Sequence, residues 1–199
     1  MKFVAPTWES IFSQSVRLAE KLLHDWGPGG FDCIVGVSRG GLVLTRLMSD
    51  LLEIQDVMIT KSEYYTDMGR RKKKPVITQK IQGNIFKKNV LLVDDVADTG
   101  ESLIEIERYI ESKKPKALTV ATLYIKPWSK VVPDYYVSKT DAWIIFPWER
   151  FEAVKSLTMK TGKKILDQTG MPPYIVKRML EFADRGLRDG IASRKRSAS

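Results

Sequence analysis

Residues 90–102 read VLLVDDVADTGES: four apolar residues, then Asp94 and Asp95, then Asp98 ahead of Thr99 and Gly100. The apolar run Val90–Val93 predicts a buried strand, and the chain beyond Gly100 predicts a helix from about Glu101 to Ser112. A loop that carries a strand into a helix offers backbone N–H groups and the positive end of a helix dipole, which together form an anion cradle. Thr99, Gly100, Glu101 and Ser102 stand at that helix start; the hydroxyls of Thr99 and Ser102 add donors, and Gly100 permits close approach.

The acids need a reason. Three carboxylates beside such a cradle would repel a bare phosphate. They suit a ligand that also carries hydroxyls and a bound cation, and a ribose phosphate with Mg²⁺ meets both terms: hydroxyl donors for Asp94 and Asp95, anionic oxygens for the loop. Asp98 has a plainer alternative, since aspartate just before a helix is a favoured N-cap.

Working outward, FDCIVGV (31–37) reads as a second buried strand, SRGG (38–41) as a tight loop and LVLTRLMSDLLE (42–53) as a helix. That is the start of a βαβ unit. A short strand around Val57–Thr60 follows, then a polar stretch, 61–84, long enough for a flap. ALTVATLYI (117–125) is a further strand. Alternating strands and helices predict an α/β fold with a parallel sheet flanked by helices on both faces. Ligands of such sheets sit beyond the C-terminal strand ends, where both SRGG and DDVADTG fall.

Residues 8–26 carry an apolar stripe at helical spacing, ended by Gly27-Pro28-Gly29-Gly30. From Pro127 the texture is aromatic, Pro-punctuated and strand-like, which predicts a small hood subdomain. After about Val154 the pattern turns helical, with Pro172-Pro173 suited to a first turn. The expected organisation is a core over 1–152, with a flap at 61–84 and a hood at 126–150, then a helical extension over 153–199 with a basic tail.

Composition narrows the class. With 199 residues and 43% hydrophobic side chains the chain can bury a substantial core. No apolar stretch reaches the roughly 18 residues of a membrane span, and MKFVAPTWES lacks the apolar core of a signal peptide. The single cysteine, Cys33, rules out an internal disulfide framework and reads as a buried inert thiol in a reducing compartment, so a cytoplasmic location without membrane attachment is expected. The lone His24 and the lack of a Cys/His cluster argue against a transition-metal site. The formal net charge of +9 invites a nucleic-acid reading, but the excess concentrates in MGRRKKKPVITQK (68–80) and the tail RKRSAS (194–199).

VLLVDDVADTGES resembles the phosphoribosyl-diphosphate signature of the type I phosphoribosyltransferases. VGVSRGGLV is similar to that family's pyrophosphate loop, and KPWSKVVPDYYV…AWIIFPWE to the base-binding hood of its purine branch, the archaeal and bacterial xanthine-guanine type. The resemblance covers roughly residues 8–152 and is silent on the rest. It implies Asp94 and Asp95 at the ribose hydroxyls, with or without a contact to the Mg²⁺ cofactor, and residues 98–102 around the 5′-phosphate. Asp98 would accept a proton from the purine's imidazole edge. Ser38, Arg39, Gly40 and Gly41 would hold pyrophosphate, with a non-proline cis peptide between Ser38 and Arg39. Ser62-Glu63-Tyr64 resembles the Ser-X-Tyr of the family's flap, so Tyr64, Arg70, Arg71 and Lys72 belong to a segment that draws in the anionic substrate and excludes water when closed. Lys126 would meet the exocyclic oxygen of a 6-oxopurine, Trp143 would stack on the ring and Ile144 would offer backbone contacts. Trp143 and Trp148 could equally be core.

The expected activity is transfer of 5-phosphoribosyl from phosphoribosyl diphosphate to a purine, giving a nucleoside 5′-monophosphate and pyrophosphate, by a homodimer as in relatives. An ammonium donor at Lys126 matches a carbonyl and mismatches adenine's amino group. A swing of the flexible lysine would still admit adenine, so adenine transfer on the same scaffold is the first alternative. The second is a phosphoribosyl-diphosphate-sensing regulator that binds nucleic acid. The tail Arg194-Lys195-Arg196 fits that reading, whereas the lack of a clear helix-turn-helix does not.

Overall fold

In a computed structural model, which describes residues 2–65 and 74–183, the apolar run of the motif belongs to a longer strand, Asn89–Ala97, that contains Asp94 and Asp95. The strand outlasts its hydrophobic stretch because its backbone stays paired: Asn89 lies opposite Ala117, Asp94 opposite Thr122 and Ala97 opposite Ile125. Within this strand Asp94 Oδ1 accepts from the Asp95 backbone N–H at 2.9 Å, a local donor for one of the two carboxylates.

In chain order the elements are β1 (Phe3–Val4), α1 (Trp8–Trp26), β2 (Cys33–Val37), α2 (Leu42–Leu51), β3 (Val57–Tyr65), β4 (Lys74–Gln79), β5 (Asn89–Ala97), α3 (Glu101–Glu111), β6 (Ala117–Ile125), β7 (Tyr135–Lys139), β8 (Trp143–Ile144) and α4 (Arg150–Thr161). A 3₁₀ turn, Lys163–Gln168, and a helix over 173–183, α5, follow. The chain divides into two compact units, one spanning Phe12–Thr140 and the other formed by the residues before and after it.

The larger unit holds a six-stranded sheet in the order β4-β3-β2-β5-β6-β7. Every neighbouring pair is parallel except β3–β4. The chain goes from β2 to β3 on one side and later to β5 on the other, so β2 and β5 flank the point where strand order reverses. In open α/β sheets that is where a crevice opens at the carboxyl ends. One face of the sheet packs Cys33, Val35, Val90 and Leu92 against Leu103, Ile106 and Ile110 of α3. The intervening Ile34, Leu91 and Val93 are also fully buried. On their face α2 comes so close that a Cβ on Gly36 would lie 2.3 Å from Thr45 Oγ1. Covering both faces explains the unbroken apolar runs of β2 and β5, and each fully buried Leu or Ile contributes about 1.5–3 kcal/mol. Cys33 is within this core, and burial pushes its thiol up to about 11, as expected of an inert cysteine.

Two elements differ from the sequence expectation. The polar stretch from 61 begins as structure: β3 runs through Tyr65 and pairs antiparallel with β4, Glu63 opposite Val76 and Tyr64 opposite Pro75. The aromatic segment after Pro127 supplies β7, which pairs with β6 as the edge strand of the main sheet.

The second unit contains a two-stranded parallel sheet, Phe3 opposite Trp143 and Val4 opposite Ile144, with α4, the 3₁₀ turn and α5 around a core of Ile145, Ala153, Val154, Leu157, Leu166 and Met171. KKILDQ, within the stretch that reads as helical, takes the 3₁₀ form. Among the described residues no helix is long and apolar enough to cross a membrane.

Glu107 of α3 is half-buried, with Oε1 lacking a hydrogen-bond partner among the described residues. Burial first, then Asp134 and Glu111, push its carboxyl above the ordinary 4.5. Well below pH 4.5 it is protonated in both folded and unfolded chains. As pH rises the unfolded chain ionises first, so folded stability falls until the folded value is passed. Glu107→Gln is therefore expected to raise Tm at neutral pH, on the order of 2 °C, with the gain vanishing well below pH 4.5. A gain independent of pH in thermal melts would contradict this.

Candidate active site

The two motifs emerge side by side, from β2 and β5. After β2, Ser38 N donates to Thr60 O at 2.8 Å and Gly41 N to Val37 O at 2.9 Å, which turns the chain sharply into α2. The Ser38–Arg39 peptide is cis, as expected from the resemblance. Arg39 is exposed. Gly40 abuts the acid pair: a Cβ there would lie 2.6 Å from Asp95 Oδ2 and 2.7 Å from Oδ1. Gly41 is equally constrained, 2.6 Å from Val93 O by the same construction. The first loop and the acids thus touch.

The three aspartates occupy different surroundings. Asp95 is buried, at 5% exposure; Asp94 is half-buried and its Oδ1 accepts from Asp95 N at 2.9 Å; Asp98 is exposed. The N-cap of α3 is Gly100, in the left-handed region at φ 78°, with no side-chain capping bond. The capping alternative for Asp98 therefore drops out. Its Oδ1 instead accepts from the indole Nε1 of Trp128 at 2.9 Å. Gly100 has a second constraint, because a Cβ would meet Ser129 Oγ at 2.8 Å and Val131 N at 2.9 Å. Its role is to let the loop pack against residues 129–131, in addition to any close approach of ligand.

Tyr64 reaches this loop from β3: its hydroxyl lies 3.3 Å from Thr99 Oγ1 and donates to Glu101 Oε2 at 3.1 Å. Lys130 Nζ pairs with Glu101 Oε1. The Lys130 bond, then Tyr64, hold the Glu101 carboxyl below its ordinary range, and Glu101 raises Lys130 in turn. The pair cancels a negative charge at the mouth of the cradle. Ser102 is half-buried in the first turn of α3. Arg70, Arg71 and Lys72 lie outside the described residues.

Lys126 is buried, at 7% exposure, at the end of β6, where its backbone N donates to Ala97 O at 2.9 Å. Trp143 and Ile144 belong to the other unit. There Ile144 is buried, and Trp143 packs on Phe3 with ring centroids 6.1 Å apart and lines a cavity of about 160 Å³ with Glu149, Glu152 and Ser156. Trp143 also packs against the core of that unit, and the half-buried Trp148 stacks on Phe146 with ring centroids 4.8 Å apart. The sequence reading missed Trp128 and Lys130. The signal was available in Lys126-Pro127-Trp128, a proline turn directly after a strand end at the ligand edge.

Residues 7–153 match the family model described as "Phosphoribosyl transferase domain". The chain is 30% identical over 149 residues to the xanthine-guanine phosphoribosyltransferase of Cereibacter sphaeroides, covering 72% of this chain and 84% of the relative. It is 32% identical over 148 residues to the enzyme of the same name from Idiomarina loihiensis, with the same coverage. Among solved structures it is similar to the purine phosphoribosyltransferase of Pyrococcus horikoshii Ot3, with a TM-score of 0.66 and 38% identity, covering 74% of this chain and 95% of that one. The chain belongs to the phosphoribosyl transferase domain family and is a pentosyltransferase. The resemblance to the purine, xanthine-guanine branch, drawn from the sequence motifs, holds.

Proposed function

We propose that the protein transfers 5-phosphoribosyl from phosphoribosyl diphosphate to a 6-oxopurine, releasing pyrophosphate. The observation that carries this reading is the abutment of Gly40 on Asp95 at the β2/β5 strand reversal, which joins the Ser38–Gly41 loop to the strand end that bears Asp94 and Asp95. In this reading Asp94 and Asp95 receive the ribose 2′- and 3′-hydroxyls, and Thr99–Ser102 receive the 5′-phosphate at the start of α3. Ser38–Gly41 hold the departing pyrophosphate, with the Arg39 guanidinium as its cation. Asp98 takes the proton from the purine nitrogen as positive charge develops on the ribose. Tyr64 steadies the phosphate loop through Glu101.

The donor set fits Mg²⁺. Among the described residues no group of three or more acids, histidines or cysteines could hold a metal alone. Mg²⁺ in phosphate-transfer sites takes one or two carboxylates and completes its shell from substrate and water. Asp94 and Asp95 would be those carboxylates, and the ion would offset charge on the diphosphate.

The buried Lys126 supports a 6-oxopurine over adenine, because an ammonium donates to a carbonyl oxygen and is mismatched to adenine's amino group, itself a donor. The names of the relatives support the same choice. Lys126→Met is expected to lower kcat/KM for hypoxanthine and guanine about 100-fold and to change adenine little. Assaying adenine, hypoxanthine, guanine and xanthine on both proteins tests it. Adenine as the best substrate of the unaltered protein would overturn the base assignment and leave the transfer chemistry standing.

A further inference from the structure

Core packing does not account for Trp128, which has 54% of its surface exposed. Its position is fixed by backbone. The turn Lys126–Ser129 closes through Ser129 N to Lys126 O at 3.1 Å, with Pro127 at the second position, which suits its fixed φ. Lys126 N donates to Ala97 O at 2.9 Å and Lys130 N to Thr99 O at 3.0 Å. The residues on either side of Asp98 are therefore tied to residues on either side of Trp128. Two polar contacts converge on the indole held there: Nε1 donates to Asp98 Oδ1 at 2.9 Å, and Lys126 Nζ lies over the ring, 5.6 Å from its centroid.

We propose that Trp128 is a positioning residue for the reaction, orienting the Asp98 carboxylate through its N–H and the Lys126 ammonium through its ring face. This rests on the reading above, in which Asp98 and Lys126 meet the purine. The terminal torsion of an aspartate is broad, so a carboxylate at an exposed loop samples many orientations. One charge-assisted bond to Oδ1 fixes the carboxylate plane and assigns Oδ2 to the purine nitrogen. Lysine has even more rotational freedom, and attraction to the ring face favours the conformers that stay beside Trp128. One side chain thereby couples the proton acceptor to the group that reads the exocyclic oxygen, with a separable part for each: the N–H for turnover, the face for base preference.

Steady-state kinetics on Trp128→Phe and Trp128→Ala, each also combined with Asp98→Ala, test this. Trp128→Phe keeps a ring face and loses the N–H. It is expected to lower kcat about tenfold, with KM for phosphoribosyl diphosphate within about twofold and the hypoxanthine-to-adenine preference retained. Trp128→Ala is expected to lose turnover to the same degree and also about tenfold of that preference. In the Asp98→Ala background Trp128→Phe should cost nothing further, because its effect passes through the missing carboxylate. Wild-type kcat in Trp128→Phe, or the same loss with and without Asp98, overturns the proposal; the phenylalanine variant preserves the ring and separates this from misfolding. Wild-type turnover in Asp98→Ala would instead overturn the role of Asp98, and this coupling with it.

Discussion

Asp98→Asn is expected to lower kcat by about 10²–10³-fold, with KM for phosphoribosyl diphosphate within about threefold. The substitution is nearly isosteric, and asparagine keeps an oxygen that can accept from Trp128 Nε1, the bond Asp98 makes at 2.9 Å. Stability should change little, because Asp98 makes no capping bond to α3, whose N-cap is Gly100. What changes is chemistry: an amide cannot take the proton that the purine nitrogen must lose, and it turns a donor toward an atom that requires an acceptor. Steady-state kinetics beside a thermal melt read the two separately. Unchanged kcat with unchanged Tm would remove Asp98 from the reaction.

Gly40→Ala is expected to lower kcat/KM for phosphoribosyl diphosphate by about 100-fold or more. The added methyl would sit 2.6 Å from one oxygen of Asp95, 2.7 Å from the other and 2.8 Å from Cγ. Contacts that short force something to move, and a buried aspartate with a short side chain has little freedom. If the loop retreats, the proposed pyrophosphate donors shift. If the carboxylate turns, its proposed ribose contact is lost. A displacement near 1 Å at a reacting centre costs on the order of 10²-fold. Pyrophosphate release over a range of phosphoribosyl diphosphate concentrations measures the loss. A variant with wild-type kcat/KM would mean that the two loops do not act on one substrate.

The strand–loop–helix framework was legible because β2, β5 and β6 are buried on both faces, which writes them as apolar runs, and because glycines and acids punctuate their ends. The strand limits were less legible. Asp94 and Asp95 read as loop residues, yet backbone pairing with β6 carries β5 through Ala97; polarity of side chains does not end a ladder. The β3–β4 ribbon escaped for a related reason. Lys74–Gln79 buries none of its side chains fully, so it shows no hydrophobic face for period-two reading to detect. The candidate site was legible as motifs. Its internal bonds were not, because the pairing of Asp98 with Trp128 and of Glu101 with Lys130 depends on a turn about 30 residues downstream. The question raised by three neighbouring acids also has a partly local answer: the Asp95 backbone N–H donates to Asp94, and the Trp128 indole engages Asp98.

The most direct test of phosphoribosyl transfer follows the phosphorus atoms. The protein, phosphoribosyl diphosphate, Mg²⁺ and guanine or hypoxanthine are mixed and observed by ³¹P NMR. The diphosphate resonances of the substrate are expected to give way to free pyrophosphate and a nucleoside 5′-monophosphate in equal amounts, and only when the purine is present. Pyrophosphate appearing at the same rate without purine, alongside ribose 5-phosphate, or a spectrum that does not change with any purine base, would contradict it.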